Sequence, residues 1–253
     1  MHVKGKYGLR PMLFLSIRKD KNHGVSMYSR SIFRRDLTGG RLFEDRADAA
    51  RELAAALAAY RGKNPLVLAI PRGAVTMGRI LADELGGELD VVLVRKLRAP
   101  LSPELAVGAI EESGWAHVAD HAASAGADEA HLRAEKETQL EALRARRKMY
   151  TPERAPVDPA GRTVIVVDDG LATGETMIAA LHAVRSKKPS RLVCAVPVAA
   201  ADSLSRVAPY ADEVVCLHAP ADFQSVGQFY VSFSQVEDEQ VVALLCETEQ
   251  AHR

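Results

Sequence analysis

The chain has 253 residues with 33 basic and 33 acidic side chains, so its formal net charge is zero. That balance argues against a role built on nucleic-acid or membrane-surface binding, and the length allows one large domain or two small ones. Apolar residues make up 47% and charged residues 26%, ordinary proportions for a globular chain, and no apolar run approaches the roughly 18 residues that cross a bilayer.

The first 38 residues form a basic N-terminal extension, with nine Lys and Arg against Asp20 and Asp36 and no clear period. They are expected to be a disordered tail or a start placed too far upstream. Within them PMLFLSI lacks a small-residue cleavage site, so no secretory signal is expected and the cytoplasm is the expected compartment.

The remainder, residues 39–253, reads as one domain. FEDRADAARELAAALAAY is alanine- and leucine-rich and opens on acids, which suits a helix. PLVLAI is a short buried strand, PRGAVTMG a glycine-bearing turn, and RILADELG a helix. LDVVLVRKL reads as a second buried strand ending in cations, RAPLSPEL as a proline-bearing loop, and AVGAIEES as another strand. DEAHLRAEKETQLEALRARRKMY is a long charged helix, followed by the proline-rich break TPERAPVDP. Then TVIVVDD (strand), ETMIAALHAVRSK (helix), RLVCAVPVA (strand), ADSLSRVA (helix), EVVCL (strand) and VEDEQVVALLCETE (helix) alternate to the end. Unbroken apolar strands alternating with helices predict an α/β fold, a mostly parallel twisted sheet covered by helices on both faces. Cys194, Cys216 and Cys246 show no CxxC spacing and read as small hydrophobes of a reducing compartment. His117, His121, His131 and His218 are scattered without metal-ligand spacing.

The stretch VIVVDDGLATGET, residues 164–176, concentrates the chemistry. Ligands of parallel sheets bind beyond the carboxyl ends of the strands, which puts Asp168 and Asp169 at the mouth of one. Gly170, Leu171, Ala172, Thr173 and Gly174 then turn the chain into a helix opening with Glu175 and Thr176. Glycines let an anion approach the backbone, the helix N-terminus adds partial positive charge, and the threonines offer hydroxyls. The loop therefore reads as a nest for one phosphate. It lacks the lysine of GxxxxGK[ST] and is not GxGxxG. Paired carboxylates accept hydrogen bonds from neighbouring sugar hydroxyls, so phosphate loop and acids together describe a ribose 5-phosphate.

The same thirteen residues resemble the 5-phosphoribosyl 1-diphosphate (PRPP) signature of type I phosphoribosyltransferases, with four apolar residues, two acids and a small-residue phosphate loop. Gly170 departs from the family's more usual apolar residue and is expected to loosen the turn. The resemblance implies the type I fold, with a small hood drawn here from residues near 219–253. It also implies transfer of the ribose 5-phosphate of PRPP to a nitrogenous base with release of diphosphate, Mg²⁺ as cofactor and a homodimer. Asp168 and Asp169 would hold the ribose diol and favour the metal, directly or through water. AIPRGAVTMG looks like the family's diphosphate loop, which places Arg72, Gly73 and Ala74 at the leaving group and implies a cis peptide at Arg72–Gly73 or its neighbour. Arg95, Lys96 and Arg98 resemble the start of the mobile catalytic loop over the diphosphate, Arg95 and Lys96 acting in catalysis. FQSVGQFYVSF is the most aromatic stretch, with Phe223 and Tyr230 as candidates for the base hood and Phe43, Asp45 and Arg46 as candidates to pair with it. The alternative reading on the same fold is a non-catalytic regulator that senses PRPP or a nucleotide.

Overall fold

The computed structural model describes residues 9–20, 24–35, 42–152 and 155–250. In chain order these carry β1 (Leu9–Asp20), β2 (Gly24–Arg35), α1 (Arg46–Ala56), β3 (Leu66–Ala69), α2 (Ala74–Leu85), β4 (Glu88–Val91), β5 (Val94–Ala99), β6 (Ser102–Glu111) and β7 (Ala116–Val118). There follow α3 (Glu129–Tyr150), β8 (Thr163–Val167), α4 (Glu175–Ser186), β9 (Arg191–Val198), α5 (Ala201–Val207), β10 (Glu213–His218) and α6 (Asp238–Gln250).

The main sheet runs β2-β1-β10-β9-β8-β3-β4. Its β10-β9-β8-β3-β4 portion is parallel, and β1 joins β10 antiparallel. Period-2 alternation sorts each central strand between two cores. Ile165 and Val167 of β8 belong to the core under α1 and α2, and Val164 and Val166 to the core under α4 and α5. β9 divides the same way, Val193 and Ala195 against Leu192, Cys194 and Val196. Both faces are dry, so the strands read as unbroken apolar runs, and the expected doubly covered parallel sheet is what forms. Cys194 and Cys216 are buried and free, whereas Cys246 is free and exposed.

Four local expectations change. Residues 9–20 and 24–35, expected as part of a tail, form a β-hairpin whose first strand pairs Leu15 with Cys216 and Ile17 with Val214. A charged hairpin at a sheet edge needs no clean alternation, which is why the sequence pattern hid it. LDVVLVRKL is two strands in two sheets, since β4 ends at Val91 and β5 starts a separate β5-β6-β7 antiparallel sheet. RAPLSPEL is no loop: Ala99 pairs with Ser102, so the two sides of Pro100–Leu101 are strands. Finally, α2 begins at Ala74 rather than Arg79. Gly78 lies inside it because a Cβ there would stand 2.8 Å from Leu89 Cδ1 and 2.9 Å from Ala69 Cβ, a helix-to-sheet contact that only glycine admits.

Candidate active site

Ala69 pairs with Val167, and Val167 with Ala195, so β3 and β8 end at one level while β9 runs on to Val198. The segments leaving those ends gather over the carboxyl edge of the sheet. There a cleft of about 400 Å³ is lined by residues 70–73 after β3, residues 168–174 after β8, Thr176 and Met177 of α4, Val94 and Lys96 of β5, and Val226.

The β8 loop turns at Gly174, whose φ of 82° is the left-handed region that glycine enters without strain. Leu171 N–H donates to Val198 O at 2.9 Å and Leu171 O accepts from Ala200 N–H at 3.0 Å, which pins the loop to the end of β9. The α4 ladder starts with Ile178 N–H onto Gly174 O at 2.9 Å. The N–H groups of Glu175, Thr176 and Met177 therefore stand ahead of that ladder, at the positive end of the helix.

Asp168 and Asp169 sit side by side above this loop, and Asp169 N–H donates to Asp168 Oδ1 at 2.9 Å. Burial, and next the neighbouring Asp169 charge, push the Asp168 carboxyl well above its usual range against the pull of that N–H, Lys96 and Arg46. Burial raises Asp169 as well, opposed mainly by Arg46. Two desolvated carboxylates without enough opposing charge form a strong attractor for cations and hydrogen-bond donors.

Arg46 was expected only to pair with the C-terminal aromatic stretch, and its role at the acids was missed. It is the first residue of α1, and its Nε donates to Asp169 Oδ2 at 2.8 Å. Nη1 reaches Ser234 O at 2.7 Å and the guanidinium lies 3.8 Å above the Phe233 ring. The aromatic stretch is bound to the motif at two points and to Phe43 at a third. Tyr230 Oη donates to Asp169 O at 2.8 Å, Phe43 and Tyr230 form a parallel bridge, and Val226 packs on Gly170. A Cβ at Gly170 would meet both Val226 Cγ atoms, at 2.7 and 2.8 Å. Gly170 therefore seats Val226 instead of loosening the turn.

The expected site residues divide. Asp168, Asp169, Gly170, Leu171, Ala172, Thr173, Gly174, Thr176, Arg72, Gly73 and Lys96 line the cleft. A Cβ on Gly73 would fall 2.3 Å from Asp169 Oδ2, so glycine there is what lets the β3 loop meet the acids. The Pro71–Arg72 bond, neighbour of Arg72–Gly73, is cis, and Arg72 Nη1 lies 3.2 Å from Glu237 Oε2. Ala74 is fully buried as the start of α2. Glu175 turns away from the cleft because Arg206 takes its carboxylate. Arg95 and Arg98 face α3 across a bulge in β5 instead of the main cleft. Arg95 Nε donates to Gln139 Oε1 at 2.5 Å, and the two share a separate basic cleft with Arg146, which Lys96 also borders. Burial, then Arg146 and Arg98, lower the Arg95 pKa. Phe223 is half-buried and packs on Phe229 at 5.4 Å, Tyr230 is buried, and Phe233 is the exposed ring of the segment.

Among the described residues no helix is long and apolar enough to cross a membrane, and no group of three or more His, Cys, Asp or Glu could hold a metal ion by itself. Two curated Mycobacterium tuberculosis proteins, each named "Putative phosphoribosyl transferase", are 43% identical over 214 residues, 84% of this chain and 48% of theirs. The chain thus spans about half the length of these relatives. The crystal structure of TT1426 from Thermus thermophilus is 44% identical with a TM-score of 0.69, covering 81% of this chain and 98% of that one. The family model described as phosphoribosyl transferase domain matches residues 41–233, and the chain belongs to that family.

Proposed function

We propose that the protein is a Mg²⁺-dependent phosphoribosyltransferase that moves the ribose 5-phosphate of PRPP onto a nitrogenous base or related heterocycle. The observation that carries the reading is the meeting, in one cleft, of the glycine-threonine loop, the Asp168–Asp169 pair, the Arg72–Gly73 turn and Lys96. Loop amides and the Thr173 and Thr176 hydroxyls hold the 5-phosphate. Asp168 and the free oxygen of Asp169 accept the ribose hydroxyls while Arg46 holds the other oxygen. The Arg72–Gly73 backbone and Lys96 face the diphosphate. The C1–O bond to diphosphate breaks as the C1–N bond to the base forms, and the chain's contribution is orientation and charge stabilisation.

Mg²⁺ fits this donor set. Two adjacent, partly uncompensated carboxylates suit an ion that keeps several waters and binds through one or two carboxylates plus substrate phosphates. Asp168 and Asp169 would hold it, directly or through water, and it would supply positive charge to the departing diphosphate. A homodimer belongs to the same reading by family resemblance.

The test is incubation with Mg²⁺-PRPP and a panel of purine, pyrimidine and pyridine bases while diphosphate release is followed. Release with one base names the acceptor. Tight PRPP binding without release across the panel assigns the site to sensing, and absence of PRPP binding refutes the reading.

A further inference from the structure

A phosphate nest works only when its N–H groups face the anion and its carbonyl oxygens face elsewhere, where each needs its own partner. Here α5 supplies those partners from behind. Ser203 Oγ donates to Ala172 O at 2.6 Å and Arg206 Nη1 donates to Thr173 O at 3.0 Å. Val207 of the same helix lies against Gly174, where a Cβ would come within 3.0 Å of its Cγ2.

Arg206 has a second task. Its Nη2 donates to Glu175 Oε1, and Glu175 is the first residue of α4, only 2% exposed. The other oxygen, Oε2, is 3.1 Å from His117 Nε2 of β7, close enough for an ion pair with a protonated ring but off the angle of a hydrogen bond. A carboxylate between Gly174 and Thr176 stands where a phosphate is to be held, and turned toward the cleft it would repel that phosphate. The arginine removes this conflict by drawing the carboxylate to the back of the loop.

We infer that Arg206 is a positioning residue for the sugar phosphate, turning the Thr173 carbonyl outward and keeping the Glu175 charge out of the nest, with Ser203 doing the first of these for Ala172. This rests on the reading that the 5-phosphate occupies the loop at residues 170–176. Arg206 touches no substrate. It acts through the main chain of Thr173 and through the direction in which Glu175 points.

The experiment is calorimetric titration of ribose 5-phosphate, and separately of inorganic diphosphate, into the full chain. Arg206→Met weakens ribose 5-phosphate about tenfold or more and leaves diphosphate unchanged, because the Arg72–Lys96 side of the cleft is untouched. Adding Glu175→Gln to Arg206→Met regains most of the lost affinity, since the misdirected charge is then gone. A purely structural brace would not respond to that second change. Arg206→Lys, which keeps one charge but not the two-pronged grip, falls between wild type and Arg206→Met, and melting curves on every variant identify any that fail to fold. Ser203→Ala weakens ribose 5-phosphate in the same sense and by less.

Wild-type affinity in Arg206→Met overturns the inference, as does a double variant no better than the single, or parallel loss of both ligands. A wild-type chain that does not bind ribose 5-phosphate overturns the underlying reading of the loop together with the inference. Wild-type binding with an indifferent Arg206 overturns the inference alone.

Discussion

Gly170→Ala places one methyl group where the sequence departs from its family. The new Cβ would lie 2.7 and 2.8 Å from the two Cγ atoms of Val226 and 3.1 Å from Val198 Cγ1. Valine is stiff about χ1, and both of its branches are in the way, so rotation brings no escape. Overpacking of this kind costs about 1–3 kcal/mol. The φ of Gly170 is not positive, so alanine is tolerated by the backbone and the stiffer unfolded chain returns about 0.4–1 kcal/mol. A net loss of about 1–2 kcal/mol is expected, a fall in melting temperature of about 2–8 °C for a chain of this size. Because Gly170 and Val226 both line the cleft, affinity for PRPP should fall as well. Val226→Ala removes both obstructing atoms, so Gly170→Ala/Val226→Ala should be more stable than the sum of the single changes by about 1 kcal/mol or more. Thermal and chemical denaturation of the four proteins give the cycle. A neutral Gly170→Ala, or strict additivity in the double variant, would refute the claim that Val226 takes the space of the missing side chain.

Asp169→Asn removes the charge that Arg46 holds beside the sugar site. It should leave the fold intact and lower PRPP affinity and turnover at least about tenfold, roughly 1.4 kcal/mol, and steady-state kinetics equal to wild type would show the sugar to be elsewhere. Lys96→Met should weaken diphosphate about fivefold, the upper end for an exposed charge, and spare ribose 5-phosphate; the two titrations decide. Far from the cleft, Tyr60 Oη donates to the buried Glu213 Oε2 at 2.5 Å, and burial followed by Glu213 raises the phenol from 10.0 to about 12. A folded-state pKa above the unfolded one means this stabilisation is complete below about pH 10 and is lost as pH rises through about 12. Tyr60→Phe should cost about 1–3 kcal/mol at neutral pH, read by denaturation, and ultraviolet titration should show one late-ionising tyrosine fewer in Tyr60→Phe than in wild type, where burial also raises Tyr150.

What the sequence disclosed was local. Val164 to Thr176 is legible because a strand buried on both faces, two acids and a glycine loop each leave a mark within thirteen adjacent residues. The bond between Arg46 and Asp169 leaves no such mark, because it joins positions 123 residues apart. The one available hint was energetic: a cation in the first turn of a helix opposes the helix dipole, so Arg46 needed some other partner. The break between β4 and β5 was hidden because Val91 to Val94 is apolar throughout, and period alone does not report that the chain has changed sheets. Tyr230 and Phe223 were candidates for a base because aromatic content was visible. Their packing partners Phe43 and Phe229, and the Asp169 carbonyl that accepts from Tyr230, lie in contacts that composition cannot report.

The link from Phe43 to Tyr230, with Arg46 reaching Ser234 across 188 residues, has a bearing on synthesis from N- to C-terminus. The motif leaves the ribosome well before its fastening does. A nascent chain halted at residue 220 already owns every residue of VIVVDDGLATGET, yet lacks Val226 against Gly170 and the hydroxyl that grips the Asp169 carbonyl. Possession of the signature and possession of a finished cleft are thus separate events in the life of this polypeptide, divided by the translation of the residues between them.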